Sequence, residues 1–551
     1  MSDLQVQIRA YIENTIERID SDDVVAAVAI RSDARDRSAW YIRPVWVAAG
    51  AAVIVSIAVG LPILFLGSRG SIVVVEPSTT VASIVTTVPS TSVPATTPPP
   101  VDSVTPMTWE RIVDVTAFGG DEEQRMTDVA TGDGVVVAVG IDGVDGDFDA
   151  AVWYSVDGVM WSRVPHDEAV FGGDGHQQMN AVVAVESGFI AVGSEGGDAE
   201  LPSYETGAPS DSFEAQAAVW FSDDGMNWSR VPHADAFSDP DSGLVMNDVA
   251  FDGSGFVAVG GAFHRTAPFA TFRWVTGPTE IDIDLDAAVW RSVDGVTWSR
   301  VNDEDEVFGG DTVPQRMNAV VAGGPGFVAV GHEGFDNLGV DEWTSDGVGN
   351  ATEGRDHFAD NVAAVWTSTD GEIWTRVTEE PSLAHSGGVA MGWAVMFDVS
   401  RTESGLVAVG LDFWDSTPTN PLGWVGGAAV WLSPDGLRWQ LAASAGQLGE
   451  PDMLAVTSTG WGGLVAGGGE GLYGSPAFTW TSQDGGYTWV RPLGTDKLLF
   501  GGAPTNRAED EAFGAASIRG LSTFDSNALA VGGFNDDAAV WVGTWNGGTD
   551  G

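Results

Sequence analysis

The chain contains no cysteine, and Lys497 is its single lysine. Without cysteine, disulfides, thiolate metal sites and cysteine nucleophiles are excluded, and an apolar core must hold the fold. Basic charge is scarce throughout: 24 Lys+Arg face 78 Asp+Glu, a formal net charge of -54. Residues 1–69 hold seven arginines and eight acids, so almost all of that charge lies further along the chain. A phosphate backbone needs a basic footprint, so nucleic acid is excluded as a partner. The same sign disfavours tight contact with anionic lipid; it suits a solvated acidic surface, cation binding or a salty medium. No Ser-His-Asp arrangement, P-loop or zinc motif stands out along the sequence.

Long apolar runs are also rare, and the one present is informative. Val45 to Gly67 is uncharged for 23 residues, enough to cross about 30 Å of hydrocarbon as a helix. Trp40, Tyr41 and Trp46 sit where an interfacial aromatic belt belongs, and Arg43 and Arg69 bracket the run. Residues 44–68 are therefore expected to form a single transmembrane helix. The stretch is too long and too far from the N-terminus for a cleaved signal peptide. Arg31, Arg35, Arg37 and Arg43 precede it and only Arg69 closely follows. The positive-inside rule then places residues 1–43 in the cytoplasm and the long remainder outside the cell. Within 1–43, Leu4, Ile8, Tyr11, Ile12, Ile16 and Ile19 recur at helical spacing. Residues 2–20 thus read as a short amphipathic helix, a candidate docking element for a cytoplasmic partner. Residues 69–106 are rich in Ser, Thr, Val and Pro, ending in Pro98-Pro99-Pro100, and are expected to be an extended stalk.

Beyond the stalk, three sequence words return in fixed order. The first is an apolar strand ending in glycine, as in Val135–Gly140, Phe256–Gly260 and Phe327–Gly331. The second is Ala-Ala-Val-Trp or a variant, with Trp at 153, 220, 290, 366, 431, 480 and 541. The third opens with Trp109, Trp161, Trp228, Trp298, Trp374, Trp439 or Trp489, often followed by x-Arg-Val. A further strand precedes the first word, visible as Met179-Asn180-Ala181-Val182 and Met246-Asn247-Asp248-Val249. Four short strands per unit in seven units specify an all-β, seven-bladed β-propeller over 107–545, followed by a short tail, 546–551. The chain enters on a third word and leaves on a second word. Residues 108–113 are therefore expected to complete the last blade beside 538–543, closing the ring without an open edge.

Between the second and third words lies a hairpin, Ser155-Val156-Asp157-Gly158-Val159-Met160-Trp161, repeated at 222–228, 292–298, 368–374, 433–439 and 482–489. Asp-Gly supplies the left-handed backbone of a tight turn, and the Asp side chain accepts turn amides. The set resembles the Asp-box, or BNR repeat, of sialidases, sortilin-type receptors and photosystem II assembly factors. Ser482-Gln483-Asp484-Gly485-Gly486-Tyr487-Thr488-Trp489 matches that pattern in full, and the other copies are one residue shorter. The resemblance implies a structural role for Asp157, Asp224, Asp294, Asp370, Asp435 and Asp484, and for Trp161, Trp228, Trp298, Trp374, Trp439 and Trp489. It implies a propeller fold and little about function.

A sialidase would further require an arginine triad, a Tyr–Glu nucleophile pair and an Asp acid. Tyr204 with Glu205 is the one candidate pair, and Arg265, Arg273 and Arg355 are the arginines free to converge on it. The family's Arg-Ile/Leu-Pro motif is missing, and Arg163, Arg230, Arg300 and Arg376 look like repeat elements. The favoured reading is a binding or scaffold module with no cofactor; a sialidase-like or other glycoside hydrolase is the alternative. The insertions point to the binding face. Connections between the first and second words are 23, 26, 31 and 17 residues long in blades 2 to 5, at 194–216, 261–286, 332–362 and 411–427. Long loops on one side of a rigid scaffold usually carry binding, here of a protein or a glycan. On the same face lie Phe-Gly-Gly-Asp links whose acids, Asp121, Asp174 and Asp311, offer oxygen ligands to Ca2+ without a complete ligand spacing.

Overall fold

The computed structural model describes residues 107–114, 116–120, 122–144, 147–196, 215–264, 284–302, 305–309, 314–334, 361–378, 380–384, 392–415, 424–448, 452–469, 477–491, 516–534 and 537–545, with 65–66 and 72–73. Two compact units divide the chain, Met1–Thr96 and Thr97–Gly551. In the first, Phe65–Leu66 pairs antiparallel with Ile72–Val73. The last residues of the apolar run are thus extended, where a helix was expected. Among the described residues no helix is long and apolar enough to cross a membrane. The rest of the run, residues 45–64 and 67, and the amphipathic segment 2–20 lie outside the described residues.

The second unit is a ring of seven antiparallel sheets. Blade 1 is Glu123–Gly132, Val135–Val144, Asp147–Ser155 and Trp161–Arg163; blades 2 to 5 repeat the order. Blade 6 keeps three strands, Met453–Ser458, Leu464–Gly468 and Phe478–Ser482, and its fourth survives only as a Thr481–Val490 bridge. Its hairpin is one residue longer than the others, and Pro492 lacks the amide that would extend the pairing. Blade 7 comprises Ala516–Phe524, Asn527–Phe534, Asp537–Thr544 and, from the other end, Thr108–Ile112. The closing register is Thr108↔Thr544 through Ile112↔Val540, the pairing that the order of the words led us to expect. That is the register of every other blade: Trp109 faces Gly543 as Trp161 faces Ser155 and Trp298 faces Ser292.

The second strands read as unbroken apolar runs because both of their faces are covered, as Val136 to Val139, each at most 1% exposed, shows. Apolar clusters fill the seams between successive blades: Val192 and Val219 of blade 2 pack with Met246 and Trp290 of blade 3. Trp153, Trp220, Trp290, Trp366, Trp431, Trp480 and Trp541 are the largest fully buried side chains. Six of them also bind the link that leads into their seam. Trp153 Nε1 donates to Ala117 O at 2.7 Å, Trp220 to Val170 O at 2.6 Å and Trp290 to Ala236 O at 2.7 Å; Trp366, Trp431 and Trp480 do the same. A buried indole thus combines apolar area with one satisfied donor.

Each innermost strand carries a bulge at one place, between Met126 and Asp128 in blade 1 and between Ile518 and Gly520 in blade 7. Opposite it stands the glycine of the first word. A Cβ on Gly260 would lie 2.0 Å from Val245 O, and one on Gly331 1.9 Å from Arg316 O. The word ends in glycine because the bulged carbonyl occupies the space of a side chain.

Candidate functional site

Residues 411–415 and 424–427, expected in a loop, are paired strand; the other loops that the sequence marks for binding lie largely outside the described residues. So do Tyr204, Glu205, Arg265, Arg273, Arg355, Asp121 and Asp311. Asp174 is exposed, and its carbonyl accepts Gln177 Nε2 at 3.3 Å. What the structure describes is the frame beneath the insertions, and it assigns work to the repeated arginines. Arg163 pairs with Asp142, Arg230 with Glu195 at 2.6 Å, and Arg376 with Glu333. Each guanidinium also lies over the buried Trp of its own blade, at 5.8, 5.4 and 6.0 Å from the ring centre. The acid stands two residues after the first-word glycine and the arginine two after the third-word Trp, so strand pairing brings them together. These arginines brace the second strand against the fourth.

Blade 3 breaks this rule. Ala262 replaces the acid, and Arg300 turns to Asp239 at 3.0 Å. The second strand runs on to His264, bringing together Ser242, His264 and Asp286 from three adjacent strands. Ser242 Oγ lies 2.7 Å from His264 Nδ1, and His264 Nε2 lies 2.9 Å from Asp286 Oδ2. No such arrangement was visible along the sequence, because its members are 22 residues apart on paired strands. Ser242 is 3% exposed. A hydroxyl so enclosed ties strand ends together rather than presenting a nucleophile, and the chain pins the base of the insertion 261–286.

Around the axis the open edges of the innermost strands are tied blade to blade. Thr127 Oγ1 donates to Met179 O at 2.7 Å; Asn180 Nδ2 to Met246 O, Asn247 Nδ2 to Met317 O and Asn318 Nδ2 to Met396 O, each at 2.8 Å. One position on, aspartate alternates with a small residue: Asp128, Ala181, Asp248, Ala319, Asp398, Ala455, Gly520. Each aspartate accepts an amide of the following blade. Val182 N–H donates to Asp128 at 2.8 Å, Val320 to Asp248 and Val456 to Asp398, both at 2.7 Å. An unpaired strand edge is costly, and these side chains satisfy it. Burial pushes the Asp128 carboxyl up to about 7 and Asp398 to about 6. Burial and then the two other aspartates hold Asp248 well above the usual range. Asp452, beside Met453, is raised by burial to about 6.

The hairpin face is built from local geometry. Asp294 Oδ1 accepts Val296 N–H at 2.9 Å and Thr297 N–H at 2.6 Å, and Ser292 Oγ accepts Gly295 N–H at 2.9 Å. Gly295 sits at φ +75°, the left-handed region that the Asp-Gly pair supplies. Trp298 Nε1 closes the turn on Gly295 O at 2.9 Å. Equivalent bonds recur at Asp157, Asp224, Asp370 and Asp435, and Asp484 takes Thr488 N–H at 2.8 Å across its longer turn. The amides of Thr297 and Val296 hold the Asp294 carboxyl down at about 2. The tips are apolar: among the described residues Met160 is 71% exposed, Val293 68%, Ile373 73% and Tyr487 56%.

No family model and no curated protein matches the chain. Solved structures do. A sialidase of Trypanosoma rangeli is 12% identical, with a TM-score of 0.35 over 79% of this chain and 59% of that one. The extracellular domain of a hybrid two-component system of B. thetaiotaomicron is 8% identical, with a TM-score of 0.38 over 80% of this chain and 40% of that one. A protein of unknown function from Dyadobacter fermentans is 12% identical, with a TM-score of 0.37 over 79% of this chain and 98% of that one. The chain spans just over half the length of the sialidases, 52% to 59%. At these TM-scores the likeness carries no argument about what the chain does.

Proposed function

We propose that this chain is a membrane-tethered recognition or scaffold module, its propeller held outside the cell to bind a protein or glycan over blades 2 to 5. The observation that carries this reading is how the insertions are mounted. The Asp-Gly hairpins leave one end of blades 1 to 6 as tight turns, and the insertions leave the other end from strands braced by Arg230–Glu195, Arg376–Glu333 and Ser242–His264–Asp286. A rigid frame beneath long loops is the usual build of a binding surface.

Two comparisons test the reading. The full-length protein is presented to a glycan array and to extracts of the cell surface. A variant with 265–283 replaced by a short Gly-Ser turn is run beside it. Loss of capture with an unchanged melting temperature supports the insertion face; undiminished capture sinks it. Orientation is tested separately, by protease access to the propeller in intact cells. The glycoside hydrolase alternative draws no support from Arg163, Arg230 and Arg376, which are engaged in bracing. Turnover of a fluorogenic sialoside, lost on Tyr204→Phe, would revive it.

A further inference from the structure

On blade 1 three side chains from separate segments turn their donor atoms toward one another. Asp149 lies in the third strand. His166 follows the fourth, where Val164 N–H donates to Val152 O at 2.9 Å and holds the segment against the third strand. Glu168 opens the short helix Glu168–Phe171. His166 Nε2 is 3.3 Å from Glu168 Oε2 and 3.7 Å from Asp149 Oδ2, and the three donor atoms all lie within 4.8 Å of one another. The neighbouring Asp167 is turned away, its Oδ1 accepting Ala169 N–H at 3.0 Å as the helix cap. Phe171 backs the imidazole, with ring centres 6.4 Å apart.

We propose that Asp149, His166 and Glu168 form a divalent transition-metal site with zinc as its best-fitting occupant. Two carboxylate oxygens and an imidazole nitrogen facing one another make a donor set that a single cation can share. Donors bonded tetrahedrally at about 2.0–2.2 Å stand about 3.3–3.6 Å apart, close to the spacing already present. One imidazole nitrogen with two carboxylate oxygens suits zinc; calcium prefers six to eight oxygens. Three protein donors leave a coordination position open to solvent or to a ligand. Blade 2 supplies an internal control. Its equivalent His233 has Nδ1 3.8 Å from Glu195 and Nε2 3.2 Å from Ser238 Oγ, and Gln216 takes the place of Asp149. This site is distinct from the Phe-Gly-Gly-Asp links, of which Asp174 is the described acid. It is independent of what the insertions bind.

The test is calorimetric titration of the chelator-treated full-length protein with zinc, followed by thermal melting. One saturable equivalent and a raised melting temperature are expected, both lost in His166→Ala and Asp149→Asn and both kept in His233→Ala. These residues are at least a quarter exposed, so the metal-free variants should melt like the parent. Calcium should give neither effect. Absence of saturable zinc binding in the parent, or undiminished binding in His166→Ala, overturns the site.

Discussion

Two sets of aspartates in this propeller do the same job, accepting backbone amides, and titrate in opposite directions. On the hairpin face Asp294 takes two amides of its own turn beside open solvent, and its carboxyl is held down at about 2. Around the axis Asp248 takes one amide of its own strand and one of the next blade, yet stands well above the ordinary range. The amide count is equal. The difference is enclosure and company, because burial disfavours the ion and the other axial aspartates add to it. One acceptor geometry therefore serves a local turn when solvated and a proton-retaining girdle when enclosed.

The most severe way to break the axial half is to remove the bulge it hangs on. Gly260→Ala would set a Cβ 2.0 Å from Val245 O, with backbone on both sides. A loss of more than about 3 kcal/mol is expected in denaturant unfolding, since neither strand can yield without breaking its ladder. A cost below about 1 kcal/mol would mean that the strands can shift apart there.

Asp248 sharpens the comparison at smaller scale. Asp248→Ala leaves Val320 N–H without its acceptor and should cost about 1–3 kcal/mol. The pH dependence follows from the sign of the shifts. A carboxyl whose folded value lies above its unfolded value near 4 binds its proton more tightly when folded. The axial contribution is full below about pH 4 and is lost as pH rises through about 6 and about 7, the values of Asp398 and Asp128. Stability should therefore fall between about pH 4 and 7, and Asp248→Asn should flatten that fall. A melting temperature that rises steadily over this range, in parent and variant alike, would contradict the girdle.

The hairpin half was legible from the sequence because everything it needs is local. Serine, aspartate, glycine and tryptophan fall within seven or eight residues, and the structure returns the turn in each copy. Ring closure was legible too, since the order of the words left one strand unmatched. The girdle was not legible. Thr127, Asn180, Asn247 and Asn318 are unremarkable residues until their blades stand side by side, and the alternation of Asp128, Asp248 and Asp398 with alanine needs the bulges aligned. The trio of blade 1 and the Ser242–His264–Asp286 chain were hidden for the same reason, their members joined by pairing rather than by spacing. The Phe-Gly-Gly-Asp links drew attention because they repeat, whereas the converging donors occur once.

On the hairpin side, Asp294→Ala removes two amide partners in a solvated turn. About 1 kcal/mol is expected, less than at Asp248, because water replaces what is lost. Its pH signature should also be reversed. The Asp294 contribution is present above about pH 4 and disappears as pH falls through about 2, so parent and variant should converge in acid. A cost equal to that of Asp248→Ala would erase the distinction between the two sets.

The smallest effect is expected at the tips that the hairpins expose. Ile373 is 73% exposed and Met160 71%, so Ile373→Ser and Met160→Ser should shift stability by no more than about 0.5 kcal/mol. Neither side chain contributes to the turn, whose bonds run from the backbone of Ile373 and Met160 to Asp370 and Asp157. Their consequence should appear in contact with other molecules, because exposed apolar side chains are costly to leave in water without a partner. Binding of an apolar dye, or self-association at high concentration, should drop in the double variant while the melting curve stays in place. If the melting temperature falls instead, the tips pack within the propeller, and the hairpin face is closed in its own right.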